Sequence, residues 1–320
     1  MVYHIIHDDL FHPYSTNYSI DYWRMNPPLL MWWYFYNFYL YGLHPIGWRI
    51  INFLLEIGIF YTLIIIFQEL KIIRESINEE YFKIGLLFYI FSIFPIISFL
   101  LYIPAIAVSI LLSLCGFYYY IKSKITPRYI YYSLFFLTLC TLTFYQASIL
   151  LFGVLFMLIL QNDYKRLYWG LIESISLFCL ISLPLILNDV LGYFSRIMVI
   201  PRWEIYVPNL TYWSFEYENW GWILTIFSYI FLGISLSKNY KNLKSSDFFI
   251  VSHSVAFLFS PFLYPWFYTW ILIFISINLV NSYKNYLKIN YIFYIYLILY
   301  YLFFSIIYLL IPYPLDSDPY

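Results

Sequence analysis

Three carboxylates (Asp8, Asp9 and Asp21), three histidines (His4, His7 and His12) and Arg24 crowd the opening stretch MVYHIIHDDLFHPYSTNYSIDYWRMN. A carboxylate within about 3 Å of a substrate hydroxyl can take its proton as that oxygen attacks. Asp8 and Asp9 could equally do no more than face water in a loop. The histidines with Asp8 and Asp9 are also of metal-ligating type, which leaves a divalent metal open, and no other cofactor is expected.

A second chemically equipped stretch is 188–220, NDVLGYFSRIMVIPRWEIYVPNLTYWSFEYENW. Its arginines, Arg196 and Arg202, have the planar fork that grips a phosphate through two parallel hydrogen bonds. They could instead reach lipid headgroups or pair with Asp189 and Glu204. Rings such as Trp203, Tyr206 and Trp213 suit stacking on a sugar or anchoring at a membrane interface. Inside apolar runs stand Glu56, Glu173 and His253. A charge at such depth costs on the order of 3 kcal/mol, so Glu56 is expected to face other helices, be paired or be protonated. A proton-relay role for the three belongs to a competing reading as a transporter or lipid flippase.

The elements that must hold these groups follow from composition. Hydrophobic residues make up 63% of the chain and charged ones 11%, too few polar groups to clothe a water-soluble core of this size. The expected fold is therefore all-α: a single polytopic transmembrane domain over 1–320 with about ten spanning helices. Lys plus Arg equals Asp plus Glu at 17 each, so no nucleic-acid partner is expected. Cys115, Cys140 and Cys179 lie in apolar runs and read as buried thiols.

Runs able to cross the hydrocarbon layer fall at roughly 48–70, 84–100, 102–121, 129–144, 145–161, 167–187, 221–237, 247–261, 264–281 and 289–311. The shorter, ring-rich run 29–41 between Pro28 and Gly42 reads as a helix lying on the membrane surface. Alternation puts Lys71, Arg74, Lys83, Lys122, Lys124, Arg128, Lys165, Arg166, Lys238, Lys241, Lys244, Lys284 and Lys288 on one side. Only Arg24, Arg49, Arg196 and Arg202 fall on the other. By the positive-inside rule the lysine side is cytoplasmic, and both termini, the loop 1–47 and the loop 188–220 are external at the cell membrane.

Several short stretches, in order and on one expected side, carry a resemblance. Tyr3, Pro13-Tyr14, Asn26-Pro27-Pro28-Leu29, Gly42-Leu43-His44-Pro45 and Trp48-Arg49-Ile50-Ile51-Asn52 are followed late in the chain by Ser260-Pro261-Phe262-Leu263-Tyr264-Pro265-Trp266-Phe267-Tyr268. Together they resemble the glycosyltransferase-C superfamily, polytopic enzymes that use polyprenyl-phosphate sugars, including mannosyltransferases. The resemblance covers about a fifth of the chain. It implies a polyprenyl-phosphate sugar donor, a catalytic carboxylate in the first external loop, and substrate contacts from Tyr264 and Trp266. In that family a spanning helix and the catalytic acid precede the position matched by Tyr3, so the chain reads as lacking the first spanning helix. Asp21 is then the expected catalytic residue, with Asp9 and Asp8 as the other candidates, and Arg24, Arg202 and Glu204 as substrate ligands. A noncatalytic relative of the family is the remaining alternative.

Overall fold

The structure is a computed structural model, and it describes residues 28–41, 45–73, 79–91, 104–143, 147–187, 221–241, 243–258 and 273–275. All regular secondary structure among them is helical. The helices are α1 (Pro28–Tyr41), α2 (Pro45–Ile72), α3 (Glu79–Phe91), α4 (Pro104–Ser123), α5 (Tyr129–Thr143), α6 (Ser148–Leu160), α7 (Tyr164–Ile186), α8 (Gly221–Asn239) and α9 (Ser245–Leu258). These overlap the run 29–41 and the first eight longer apolar runs of the sequence, α3 covering only 84–91 of the run 84–100; the runs at 264–281 and 289–311 lie outside the described residues, apart from 273–275.

Local chemistry sets the boundaries. Proline occupies the first helical position of α1, α2 and α4, where its missing N–H costs nothing and its fixed φ suits the helix. The turn between α6 and α7 is only three residues long. Asn162 takes a left-handed φ of 57°, and Asp163 N–H returns to the Leu158 carbonyl at 2.9 Å, closing the end of α6. Asp163 then caps α7 by accepting from Arg166 N–H at 3.3 Å, while its carboxylate also holds Arg166 Nε at 2.7 Å.

Contacts between distant helices fix how they run. Gly58 packs on Leu111, and one end further along Glu69 meets Lys122 at 3.4 Å, so α2 and α4 are parallel in constant register. Leu134 lies on Gly170, and Thr138 bonds Ser174 at 3.0 Å, so α5 and α7 are parallel as well. Phe152 and Phe156 of α6 meet Tyr229 and Gly233 of α8, a third parallel pair. The neighbours α4 and α5 run antiparallel, with Ser133 bonding the Gly116 carbonyl at 2.7 Å and Ser109 bonding Thr143 at 2.9 Å. The rings Phe117–Phe249 (4.0 Å) and Tyr120–Phe248 (4.7 Å) make α9 antiparallel to α4.

The consequence is a bundle with two unlike ends. Lys71 at the end of α2 joins Glu79 at the start of α3 at 2.6 Å, and the turns α4–α5, α6–α7 and α8–α9 belong to this same end. The lysine-bearing turns among the described residues are thus gathered together by helix packing.

Among the described residues two helices are long and apolar enough to cross a membrane, over Arg49–Ile72 and Tyr164–Pro184. Only 28% and 17% of their most apolar windows is buried inside the protein, the opposite of a soluble core helix. Outward-facing Phe53, Leu54, Ile175 and Leu180 are each more than half exposed, an apolar surface that suits lipid better than water. Other helices are shorter: the 13 residues of α6 extend about 20 Å. Between helices the packing is close and hydroxyl-rich, as expected where lipid removes the hydrophobic drive for association. Ser109, Ser133, Thr138, Thr143 and Ser174 are all buried along the α4–α5–α7 seam. The three cysteines are free; Cys140 is buried, with its Sγ 3.2 Å from the Ser109 carbonyl, whereas Cys115 and Cys179 are partly buried.

Candidate functional site

Asp8, Asp9, Asp21 and Arg24 lie outside the described residues, as do Arg202, Glu204, Tyr264 and Trp266. The described helices fix where the segments carrying them are attached. Residues 1–27 lead into α1, whose Trp32 indole donates to the Ile181 carbonyl of α7 at 3.2 Å. Ile181 is about 25 Å along the helix axis from Tyr164, so α1 is docked far from the lysine end. There it also touches α5 and the start of α2. The segment 188–220 connects the end of α7 to the start of α8, and 259–272 follows the end of α9. By the helix directions above, all of these attachment points sit at the end opposite the lysines.

Among the polar side chains described at that end are Arg49, Asn52 and Asn37. Arg49, in the first turns of α2, is half-buried, and Asn52 one turn on is fully buried. Asn37 of α1 is buried too, its side-chain N–H donating to the Trp33 carbonyl at 2.8 Å. The sequence signal for the first two was an Arg and an Asn three apart at the start of a long apolar helix, a spacing that puts both on one face. Both residues belong to the stretch Trp48–Asn52 that carries part of the resemblance.

The interior acids are accounted for separately. Tyr89 of α3 donates its phenol to the Glu56 carboxylate of α2, so Glu56 faces a neighbouring helix, one of the three outcomes expected for it. His253 is buried in α9 with Nδ1 2.7 Å from the Phe249 carbonyl. A carbonyl only accepts, so Nδ1 carries the proton. Glu173 is partly buried on α7. The Glu56–Tyr89 bond ties two helices and the His253–Phe249 contact lies within one.

One cavity borders this interior, between α4, α5, α6 and α9, with Ser113, Tyr120, Leu137, Val154, Ser252 and His253 in its wall. It leaves about 10 Å³ for the centre of a water molecule, room for one water and far too little for a sugar. Among the described residues no group of three His, Cys, Asp or Glu side chains is placed to hold a metal ion.

No protein-family model, curated protein or solved structure matches this chain. Its chemistry therefore has to be read from its own residues and geometry.

Proposed function

We propose that the chain is a membrane glycosyltransferase of about ten spans with both termini external, transferring a sugar from a polyprenyl-phosphate donor to an acceptor at the outer face of the cell membrane. The observation that carries this reading is the attachment of every acidic, arginine-bearing and ring-rich candidate segment to one end of the helix bundle, opposite the lysines. A reaction at a lipid headgroup needs such a gathering of polar groups at one membrane face.

In this reading Arg24 or Arg202 holds the donor phosphate, and Asp21 accepts the proton of the acceptor hydroxyl. The acceptor oxygen bonds to the anomeric carbon as the bond from that carbon to the phosphate oxygen breaks, and polyprenyl phosphate leaves. Fixed cationic groups around the departing phosphate supply the larger part of the stabilisation, because they are aimed where charge develops. Glu204, Tyr264 and Trp266 contribute sugar contacts, and Asp8 and Asp9 are the alternative carboxylates. Arg49 and Asn52, at the start of α2, border the same face.

Membranes containing the full chain should transfer labelled sugar from a polyprenyl-phosphate donor, and Asp21→Asn should abolish transfer. Full activity in that variant would assign the proton to another group. Absence of transfer by the unaltered chain from every such donor would overturn the reading.

A further inference from the structure

At the lysine end, carboxylates already hold several cations: Glu79 pairs with Lys71 and Lys83, Glu69 with Lys122, and Asp163 with Arg166. Among the described residues no carboxylate pairs with Arg128 or Lys165, and both are exposed. The parallel register of α5 and α7 sets these two at the same level of the bundle, on adjoining helices. The offset that sets Leu134 on Gly170 and Thr138 on Ser174 sets Tyr129 beside Lys165, one residue from Arg128. Just below stands a ledge of exposed rings, with Tyr132 54%, Tyr168 61% and Trp169 53% exposed. Uncompensated cations directly above amphipathic rings match the layering of a bilayer, where phosphates lie over the depth that Tyr and Trp prefer.

We infer that Arg128 and Lys165, at the adjoining starts of α5 and α7, form a binding site for the headgroup of an anionic phospholipid, with Tyr132, Tyr168 and Trp169 against its glycerol region. The inference needs the bundle to sit in a bilayer and is independent of the proposed sugar transfer. A lipid fits better than a soluble phosphate because the rings continue the site down the apolar flank of the bundle.

The full chain is reconstituted in phosphatidylcholine vesicles, and the association of spin-labelled phosphatidylglycerol is compared with that of spin-labelled phosphatidylcholine. The chain should prefer the anionic label. The double variant Arg128→Gln with Lys165→Gln should lose that preference by roughly five-fold for each charge removed. Lys83→Gln, at a cation on the same end already paired with Glu79, should keep it. In the unaltered chain, brominated phosphatidylglycerol should quench tryptophan fluorescence more than brominated phosphatidylcholine, and the difference should shrink in Trp169→Phe. An unchanged preference in the double variant, an equal loss in Lys83→Gln, or complete displacement of the lipid by inorganic phosphate would each overturn the site.

Discussion

The hydroxyls of Thr138 and Ser174 stand 3.0 Å apart between α5 and α7. Thr138 donates both to Ser174 and, at 2.8 Å, to the Leu134 carbonyl of its own helix, so one hydroxyl proton is shared between the two acceptors. Removing the Ser174 acceptor with Ser174→Ala should cost about 0.6 kcal/mol, and no more than about 1.7, the range for hydrogen bonds between helices in lipid. A double-mutant cycle with Thr138→Val, read by denaturant unfolding in detergent micelles, measures it. Zero coupling would show that the pair does not hold the parallel register.

The Glu56–Tyr89 bond is a polar tie between α2 and α3, away from the Lys71–Glu79 end. Tyr89→Phe keeps the ring and removes the donor, which should destabilise the protein by about 1–3 kcal/mol because a partly buried carboxyl loses a partner. Glu56→Gln keeps a group able to accept from Tyr89 and should be milder. Equal stability of Tyr89→Phe and the unaltered chain, by the same unfolding assay, would mean the phenol contributes nothing.

At the aqueous end of α3, hydrogen bonds from Lys71 and then Lys83 hold the Glu79 carboxyl below its ordinary value of 4.5. The folded form thus favours the carboxylate, so the stabilisation is fully present above pH 4.5 and is lost as pH falls through the lowered value. Carboxyl NMR of the folded protein should show Glu79 titrating below an ordinary glutamate. Lys71→Gln with Lys83→Gln should return it toward 4.5; no movement would remove both lysines as the cause.

Sidedness is open to direct labelling. Starting from a variant without Cys115, Cys140 and Cys179, single cysteines at Ile125 and Asn162, in the exposed α4–α5 and α6–α7 turns, should react with an impermeant maleimide from the cytoplasmic side. A cysteine at Tyr39, 78% exposed on α1, should react from outside. Labelling of Ile125 and Tyr39 from the same side would break the two-ended arrangement on which the proposed reaction stands.

Part of the architecture was legible in the sequence because an apolar run long enough for a helix shows in the residue pattern without any knowledge of packing. Hence α2 and α7 emerge as long apolar runs, Pro28 bounds the start of α1, and the lysines fall in alternate turns. The candidate site was legible only as attachment points, since Asp21, Arg202 and Trp266 lie outside the described residues. Tertiary structure alone decided the rest. The parallel pairing of α5 with α7 rests on Gly170 admitting Leu134 and on one hydroxyl meeting another, and α1 is located by its packing on α5 and α7, where the Trp32 indole reaches Ile181. Hydropathy has no term for which face of one helix meets which face of another; that choice is made by small residues and directional hydrogen bonds between positions far apart in the chain.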